Sequence, residues 1–302
     1  MKLAPRHRLP PLPPLFPPEF RALLPRLCGQ AARVQGARDQ ALRARRSTLS
    51  QSGTFVGHRH YSRGDDLRRL DWAAYARSGE LFTKQLEEEE RRTAALVLDG
   101  SASLVVGTPP RRLAALRLAA VLGALSLTHL DALVVVMPGA GALAFASFTG
   151  SAALPALLQH LEALPIAAAT PEQAAALLLQ RGLPGRVHWI GDFAVPSEHE
   201  RPLHALRRRG ARVTGWLPTL PEDTAAPPPG YLRWCDPETG RELAVPVDAA
   251  FTAALRQELE RLARQQDQLF ARAGAPLRRW PAEKALDLHP GAYAACLQEC
   301  TR

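Results

Sequence analysis

The sequence predicts an α/β protein built on a doubly wound, mostly parallel sheet, and three observations carry that prediction. An apolar run, Ala94 to Leu98, stops on Asp99 and gives way to Gly100-Ser101-Ala102-Ser103, as a buried strand does when it opens into a polar loop. Similar runs recur at 133–137, 187–191 and 212–217, with helical spacing in the stretches between them. The run at 187–191 again ends on an aspartate, Asp192. Strands alternating with helices argue for a parallel sheet covered on both faces.

In chain order, the proline-rich residues 1–18 lack helix and sheet hydrogen bonding and predict a mobile or extended arm. Phe20, Leu23, Leu24 and Leu27 predict a helix from Glu19 that breaks at Gly29, followed by a solvated helix over 31–46. Residues 53–90 read as a short strand, a turn at 64–66, a helical turn through Asp71-Trp72 and a second strand over 81–86. Capping by Asp66, surface ion pairs and a solvated run at Glu87 to Glu90 would explain much of this stretch. Yet Gly64, Asp65, Asp66, Arg68, Asp71, Trp72 and Arg77 crowd into it more densely than solubility requires.

Thr108-Pro109-Pro110 reads as a helix start, with Leu113, Leu116, Ala120 and Leu127 on one face. A second strand at 133–137, turn residues at 138–141 and a third strand at 143–148 form an antiparallel pair. A helix over 152–164 follows, and Thr170-Pro171-Glu172-Gln173 opens another with a capping box. The fourth strand at 187–191, a helix over 203–209 and a strand at 212–217 complete the alternation. Beyond a proline-rich connection at 218–230, residues 231–247 form a hairpin turning at Asp236 to Gly240. Phe251, Leu255, Leu259, Leu262 and Leu269 stripe a long helix ending near Gly274, before a last strand at 277–280 and a closing helix over 291–300. The expected divisions are an arm with N-terminal helices (1–50), a segment packed on the main domain (51–90), and the main domain itself (91–302).

With 302 residues, 46 % of them apolar, the chain can bury the core of one or two domains. Its net charge is +9, carried almost wholly by arginine, since Lys2, Lys84 and Lys284 are the only lysines. The arginines are scattered through helices instead of forming one block, which argues against nucleic-acid binding. Cys28, Cys235, Cys296 and Cys300 show no C-x-x-C pair. Cys296 and Cys300 are a helical turn apart, a spacing that can supply two metal ligands, but no His or Cys pair stands near, so all four read as reduced structural thiols. The N-terminus lacks the apolar core of a signal peptide, and no run of 18 apolar residues occurs. A cytoplasmic protein without a membrane span is the expectation.

Connection rules place the first and fourth strands side by side, where the strand order reverses and ligands bind beyond the strand ends. Asp99 and Asp192 then face each other across one crevice, and the loop before Thr170 reaches the same mouth. Asp-x-Ser-x-Ser can bring one carboxylate and two hydroxyls to a point, a donor set suited to Mg²⁺, which takes few carboxylates and keeps water or outside ligands. The plain alternative is a serine-rich turn capping the next helix, and Thr170 has its own capping role.

Asp99-x-Ser101-x-Ser103, the later Thr170 and the strand-terminal Asp192 resemble the metal-ion-dependent adhesion site of von Willebrand factor type A domains. Upstream, Tyr61-x-x-Gly64-Asp65-Asp66-x-Arg68-x-x-Asp71-Trp72-x-x-x-Ala76-Arg77, with Asp236-Pro237-Glu238-Thr239-Gly240 downstream, is similar to the domain-of-unknown-function-58 family over roughly residues 45–302. The resemblance implies a Rossmann-like type A domain preceded by a signature segment. It also implies weakly bound Mg²⁺ or Mn²⁺ held through Ser101, Ser103 and Thr170, with Asp99 and Asp192 acting largely through water. The open position would take a carboxylate from a protein partner. Many relatives are membrane-anchored, and relatives commonly stand beside MoxR-type AAA+ ATPases. The expected function is therefore a non-catalytic, metal-dependent protein-binding module, an adaptor for such an ATPase, with arginine-rich surroundings steering the acidic partner. The alternative is a metal-dependent phosphoesterase or nuclease drawing in Asp65, Asp66 or Asp71, but the mouth offers mainly hydroxyls where two-metal hydrolysis needs several carboxylates.

Overall fold

In the computed structural model, residues 14–45, 54–62, 70–87, 93–107, 110–129, 132–167, 170–182, 185–225 and 227–300 are described. They fall into two compact units, one drawn from residues 1–31 and 93–302, the other from 32–92. The chain opens with helix α1 (Pro18–Arg45), and the smaller unit contains β1 (Thr54–His60), α2 (Trp72–Ser78) and β2 (Phe82–Glu87). The larger unit runs β3 (Thr93–Leu98), α3 (Arg111–His129), β4 (Ala132–Val136), β5 (Phe145–Phe148), α4 (Leu154–Ala163), α5 (Pro171–Gln180), β6 (Arg186–Ile190), α6 (Pro196–Arg208) and β7 (Arg212–Thr219). It closes with β8 (Gly230–Cys235), β9 (Glu242–Val247), α7 (Ala249–Arg272), β10 (Leu277–Pro281) and α8 (Ala294–Cys300).

Six strands form the central sheet in the order β10-β7-β6-β3-β4-β5, all parallel except the edge strand β5. This mixed α/β arrangement is compatible with a Rossmann-like fold. The period of two along β3 shows why the sheet is covered twice. Ala94, Leu96 and Leu98 pack with α3, α4 and the start of α1, whereas Ala95 and Val97 pack with α5, α6 and α7. Strand β3 lies between β4 and β6, with Leu98 opposite Ile190, so the two strands that end before Asp99 and Asp192 are neighbours.

Helix α3 is long and apolar enough to cross a membrane by length and composition, yet residues 113–127 are all buried in the protein. Among them is Arg117, 3 % exposed. Its guanidinium donates to the carbonyls of Leu15 (2.7 Å), Pro14 (2.9 Å) and Ala285 (2.6 Å) and lies 5.3 Å from the Phe20 ring centre. A buried arginine is tolerated when its donors are satisfied in this way. Of the expected mobile or extended arm, the clamp rules out the mobile form at residues 14–18, for Phe16 is buried and stacks on Phe20. Residues 1–13 lie outside the described residues.

Helix α1 also runs through Gly29 without a break, and through Pro25. Burial of Phe20, Leu23, Leu24, Leu27 and Ala31 on one side outweighs the propensity cost of a single glycine. Helix α6 begins at Pro196, seven residues before the expected 203, because its first turn is polar and shows no apolar period. The proposed helix start at Thr108 and Pro109 lies outside the described residues. All four cysteines are free, with Cys296 and Cys300 buried; burial pushes the Cys300 thiol up to about 12.

In the smaller unit β1 and β2 pair antiparallel, with a register shift between Phe55 and Gly57. Asp71 caps α2 by accepting from the backbone N–H groups of Ala73 and Ala74, both at 3.0 Å, and its other carboxylate oxygen meets His58 Nε2 at 2.7 Å. Gly79, left-handed at φ 72°, ends the helix. Trp72 is 64 % exposed, edge-on to Tyr75, and Arg77 is exposed in the last turn. Gly64, Asp65, Asp66 and Arg68 lie outside the described residues.

Arg117→Met removes the clamp while keeping an unbranched side chain of similar length, leaving the Pro14, Leu15 and Ala285 carbonyls without their donor. Urea unfolding should show a loss of about 3 kcal/mol, with faster proteolysis at residues 14–17. An unchanged unfolding midpoint would mean that water replaces the guanidinium at no cost.

Candidate functional site

Asp99 leaves β3 with its backbone N–H still bonded to the Ile190 carbonyl (3.0 Å), so its position is fixed by the strand pairing itself. Its carboxylate accepts from Ser101 N–H at 2.8 Å, which folds the following residues into a tight turn. Ser103 Oγ donates to Asp192 Oδ2 at 2.7 Å. The Ser101 hydroxyl, 2.8 Å from Ser103 Oγ, must therefore be the donor in the serine pair. Asp192 ends β6 and accepts from Ala194 N–H through Oδ1 at 3.0 Å. Asp99, Ser101, Ser103, Thr170 and Asp192 all line one cavity of about 430 Å³. The Thr170 hydroxyl accepts from Gln173 N–H at 3.3 Å, and the Gln173 side chain answers to Thr170 N–H, so the residue caps α5 while bordering the mouth.

Two glycines make the mouth narrow. A Cβ on Gly100 would stand 2.7 Å from the Ala167 carbonyl oxygen, and Ala167 N–H donates to the Gly100 carbonyl at 2.8 Å. The glycine is thus required by the close approach of the strand-end loop to Ala167. A Cβ on Gly191 would meet Asp99 Cβ at 3.1 Å and Oδ2 at 3.3 Å. Only a bare backbone lets the two strand ends sit this close.

Beyond Asp192 the chain turns through Phe193, a non-glycine residue at φ 50°. That conformation is costly for a side chain of this size and persists only where its surroundings impose it. Here Phe193 is buried edge-on to Phe270, and Gln266 Nε2 donates to the Asp192 carbonyl at 2.9 Å from α7. His199 borders the same cavity, edge-on to Trp189 and Phe193, with Nδ1 3.2 Å from the Val195 carbonyl. Burial pushes the His199 imidazole down, against the opposing pull of that carbonyl, Asp99, Asp192 and Glu198. Burial also raises the Asp99 carboxyl, and the Asp192 carboxylate raises it further.

Among the described residues no Lys or Arg lines this cavity. The expected arginine-rich surroundings are corrected to an acidic mouth, in which Glu198, Asp236 and Glu238 join the two aspartates. The last two come from the β8–β9 turn, and Glu238 Oε1 accepts from Ser103 N–H at 2.7 Å. Among the described residues no cluster of three or more His, Cys, Asp and Glu is arranged to hold a metal by itself. A cation here would rely on the serine hydroxyls and on water or outside ligands, and that donor set suits a hard divalent ion. The absence of a basic lining residue among the described ones fits the same group.

Sequence reasoning missed His199, Gln266, Glu198 and Glu238 as site residues. His199 and Glu198 stand seven and six residues after Asp192 in a helix whose start was not visible. Gln266 carries a signal only as the polar residue in an otherwise half-buried stripe of α7.

The profile of the family described as "Protein of unknown function DUF58" matches residues 57–269. Similar curated proteins include uncharacterized protein Rv1480 of Mycobacterium tuberculosis and uncharacterized protein Mb1516 of Mycobacterium bovis. Each is 30 % identical over 233 residues, which are 72 % of this chain and 71 % of the relative. Among solved structures, the conserved hypothetical protein BatB from Bacteroides thetaiotaomicron is 14 % identical with a TM-score of 0.37, over 68 % of this chain and 98 % of that one. An aerotolerance-related membrane protein from Bacteroides fragilis is 16 % identical with a TM-score of 0.39, over 69 % of this chain and 98 % of that one.

The raised Asp99 carboxyl has a signed consequence. Because its folded value lies above its unfolded one, its stabilising contribution is present at low pH and is lost as pH rises through the folded value. Asp99→Asn removes this titration and can keep the acceptor for Ser101 N–H. In EDTA the variant should melt higher than wild type at pH 8, with the gap closing toward about pH 4, the ordinary carboxylate range. Parallel melting curves across that range would show that the two aspartates do not repel.

Proposed function

The chain belongs to the family described as "Protein of unknown function DUF58", and from that premise we propose that it is a non-catalytic protein-binding module working through a divalent cation, Mg²⁺ or Mn²⁺. The larger unit is then a von Willebrand factor type A-like domain. The observation that carries this reading is the convergence of Asp99, Ser101, Ser103, Thr170 and Asp192, from three separate loops, on one cavity at the ends of β3 and β6. Ligands of open parallel sheets bind at that place.

Ser101, Ser103 and Thr170 would hold the cation through hydroxyl oxygens, and Asp99 and Asp192 through water or directly. When bound, the cation supplies a positive charge with a coordination position open to an outside carboxylate. The protein's own contribution is to fix the donors. Strand pairing places Asp99, the left-handed Phe193 and Gln266 place Asp192, and the Asp99–Ser101 turn directs the serines. Without the cation the mouth repels acidic groups, so metal dependence follows from the sign of its lining. Among the described residues, the imidazole that lines the mouth is that of His199, with Nδ1 turned to the Val195 carbonyl.

The partner proposed is a protein presenting an acidic side chain, with a MoxR-type AAA+ ATPase as the first candidate from the family resemblance. A cytoplasmic location and an adaptor role go with that partner.

At a hundredfold excess over its dissociation constant, Mg²⁺ should raise stability by about 2.7 kcal/mol, seen as a higher melting temperature that Asp99→Ala abolishes. Purified MoxR-type ATPase should bind the wild type in Mg²⁺. EDTA or Ser101→Ala with Ser103→Ala should remove that binding, and salt should weaken it. Metal-dependent cleavage of a phosphodiester by the pure protein, lost in Asp99→Ala, would replace this reading with a hydrolase.

A further inference from the structure

The turn between β8 and β9 is built to present one side chain. The Asp236 carboxylate accepts from Glu238 N–H (3.0 Å) and from the Thr239 hydroxyl. Gly240, at φ 68°, donates to the Asp236 carbonyl at 2.8 Å, and Asp236 N–H donates to the Arg241 carbonyl at 2.8 Å. These bonds shape the tip without using the Glu238 carboxylate. That carboxylate is spent elsewhere, on Ser103 N–H at 2.7 Å, inside the cavity lined by Asp99 and Asp192. A third carboxylate has thus been brought to a mouth that lacks a basic lining residue among the described ones.

We propose that Glu238 is an internal carboxylate ligand of this site, holding the place that a partner's acidic side chain takes, so that partner and hairpin compete for one position. The inference rests on the reading of the mouth as a cation site. Two features favour a tip that can give way. The hairpin's own strands expose Tyr231 (87 %) and Leu243 (60 %), so little apolar burial holds them. Its root is anchored by buried Val247, and Trp234, two residues before Asp236, lies with its ring 5.6 Å from that of Phe251 on α7. Release of the Glu238 side chain from Ser103 N–H therefore leaves the hairpin's own anchors in place. A cation would draw Glu238 inward, and its removal would leave three like charges to repel.

The test uses Mn²⁺ and a capped glutamate, N-acetylglutamate N-methylamide, on the full chain. Glu238 is exposed, so Glu238→Gln keeps the fold and the size of the side chain while removing its charge. In calorimetry the variant should bind Mn²⁺ about tenfold more weakly than wild type, the scale on which groups around a metal act. At saturating Mn²⁺ it should bind the capped glutamate more tightly, because the internal competitor is gone. Hydrogen exchange over residues 230–247 should slow when Mn²⁺ is added to wild type, and should not respond in Glu238→Gln. Equal Mn²⁺ binding by both proteins, with exchange indifferent to the metal, would overturn the role of Glu238 and leave the cation site standing. No Mn²⁺ binding by wild type would overturn the cation site and this inference together.

Discussion

Two carboxylates at the ends of adjacent parallel strands set the terms for everything around them. Asp99 and Asp192 owe their proximity to β3–β6 pairing at the centre of the sheet, and no other residue choice in the loops can undo it. What the loops can do is decide how the like charges are tolerated. Ser101 N–H and Ala194 N–H each neutralise one oxygen, and the Ser103 hydroxyl links the two sides. The strained backbone of Phe193 is the cost of turning the chain sharply enough to aim Asp192. It is met by burial of that ring against Phe270 and by the Gln266 bond from α7, so the long helix serves the site as well as the core.

Several of the arginines have a structural role that charge counting does not reveal. Guanidinium groups satisfy carbonyls where the chain leaves regular structure. Arg117 takes Pro14, Leu15 and Ala285, Arg112 takes Leu164 and Pro165, Arg186 takes Cys300, and Arg207 takes Ala211 and Ala273. A planar fork with five donors can close several such ends at once, which a lysine cannot. Arg278 does the same for a buried acid, meeting Glu299, which also accepts from Thr214. These five guanidinium groups are spent inside the protein, and the cavity at the strand ends is acidic.

How much of this could be read from the chain depends on how local each cause is. The alternating strands, the hairpin with its Asp236–Gly240 turn, and the Thr170 capping box all follow from residues within a few positions of one another. The placing of Asp99 beside Asp192 needed only the connection rules for parallel sheets. Errors arose where tertiary contacts overruled local preference. Gly29 stays helical because its neighbours are buried, and Pro14 and Leu15 are held because Arg117, about a hundred residues away, donates to their carbonyls. Glu238 was legible as part of a turn and illegible as part of the mouth, since its partner Ser103 is 135 residues distant. For the signature stretch, Asp71 proves to be a helix cap that also meets His58, while Trp72 is mostly exposed.

The hairpin differs from the rest of the larger unit in what holds it. A two-stranded sheet in water is marginal by itself, and β8–β9 has no third strand, with side chains exposed along most of its length. Elsewhere one hydrogen bond is a small fraction of the contacts that fix an element. At the tip of this hairpin the Glu238–Ser103 bond spans the gap to the strand ends. An aspartate-shaped turn that spends its own donors internally, and frees one carboxylate to cross that gap, links the end of the central strand β3 to a separate, largely exposed hairpin.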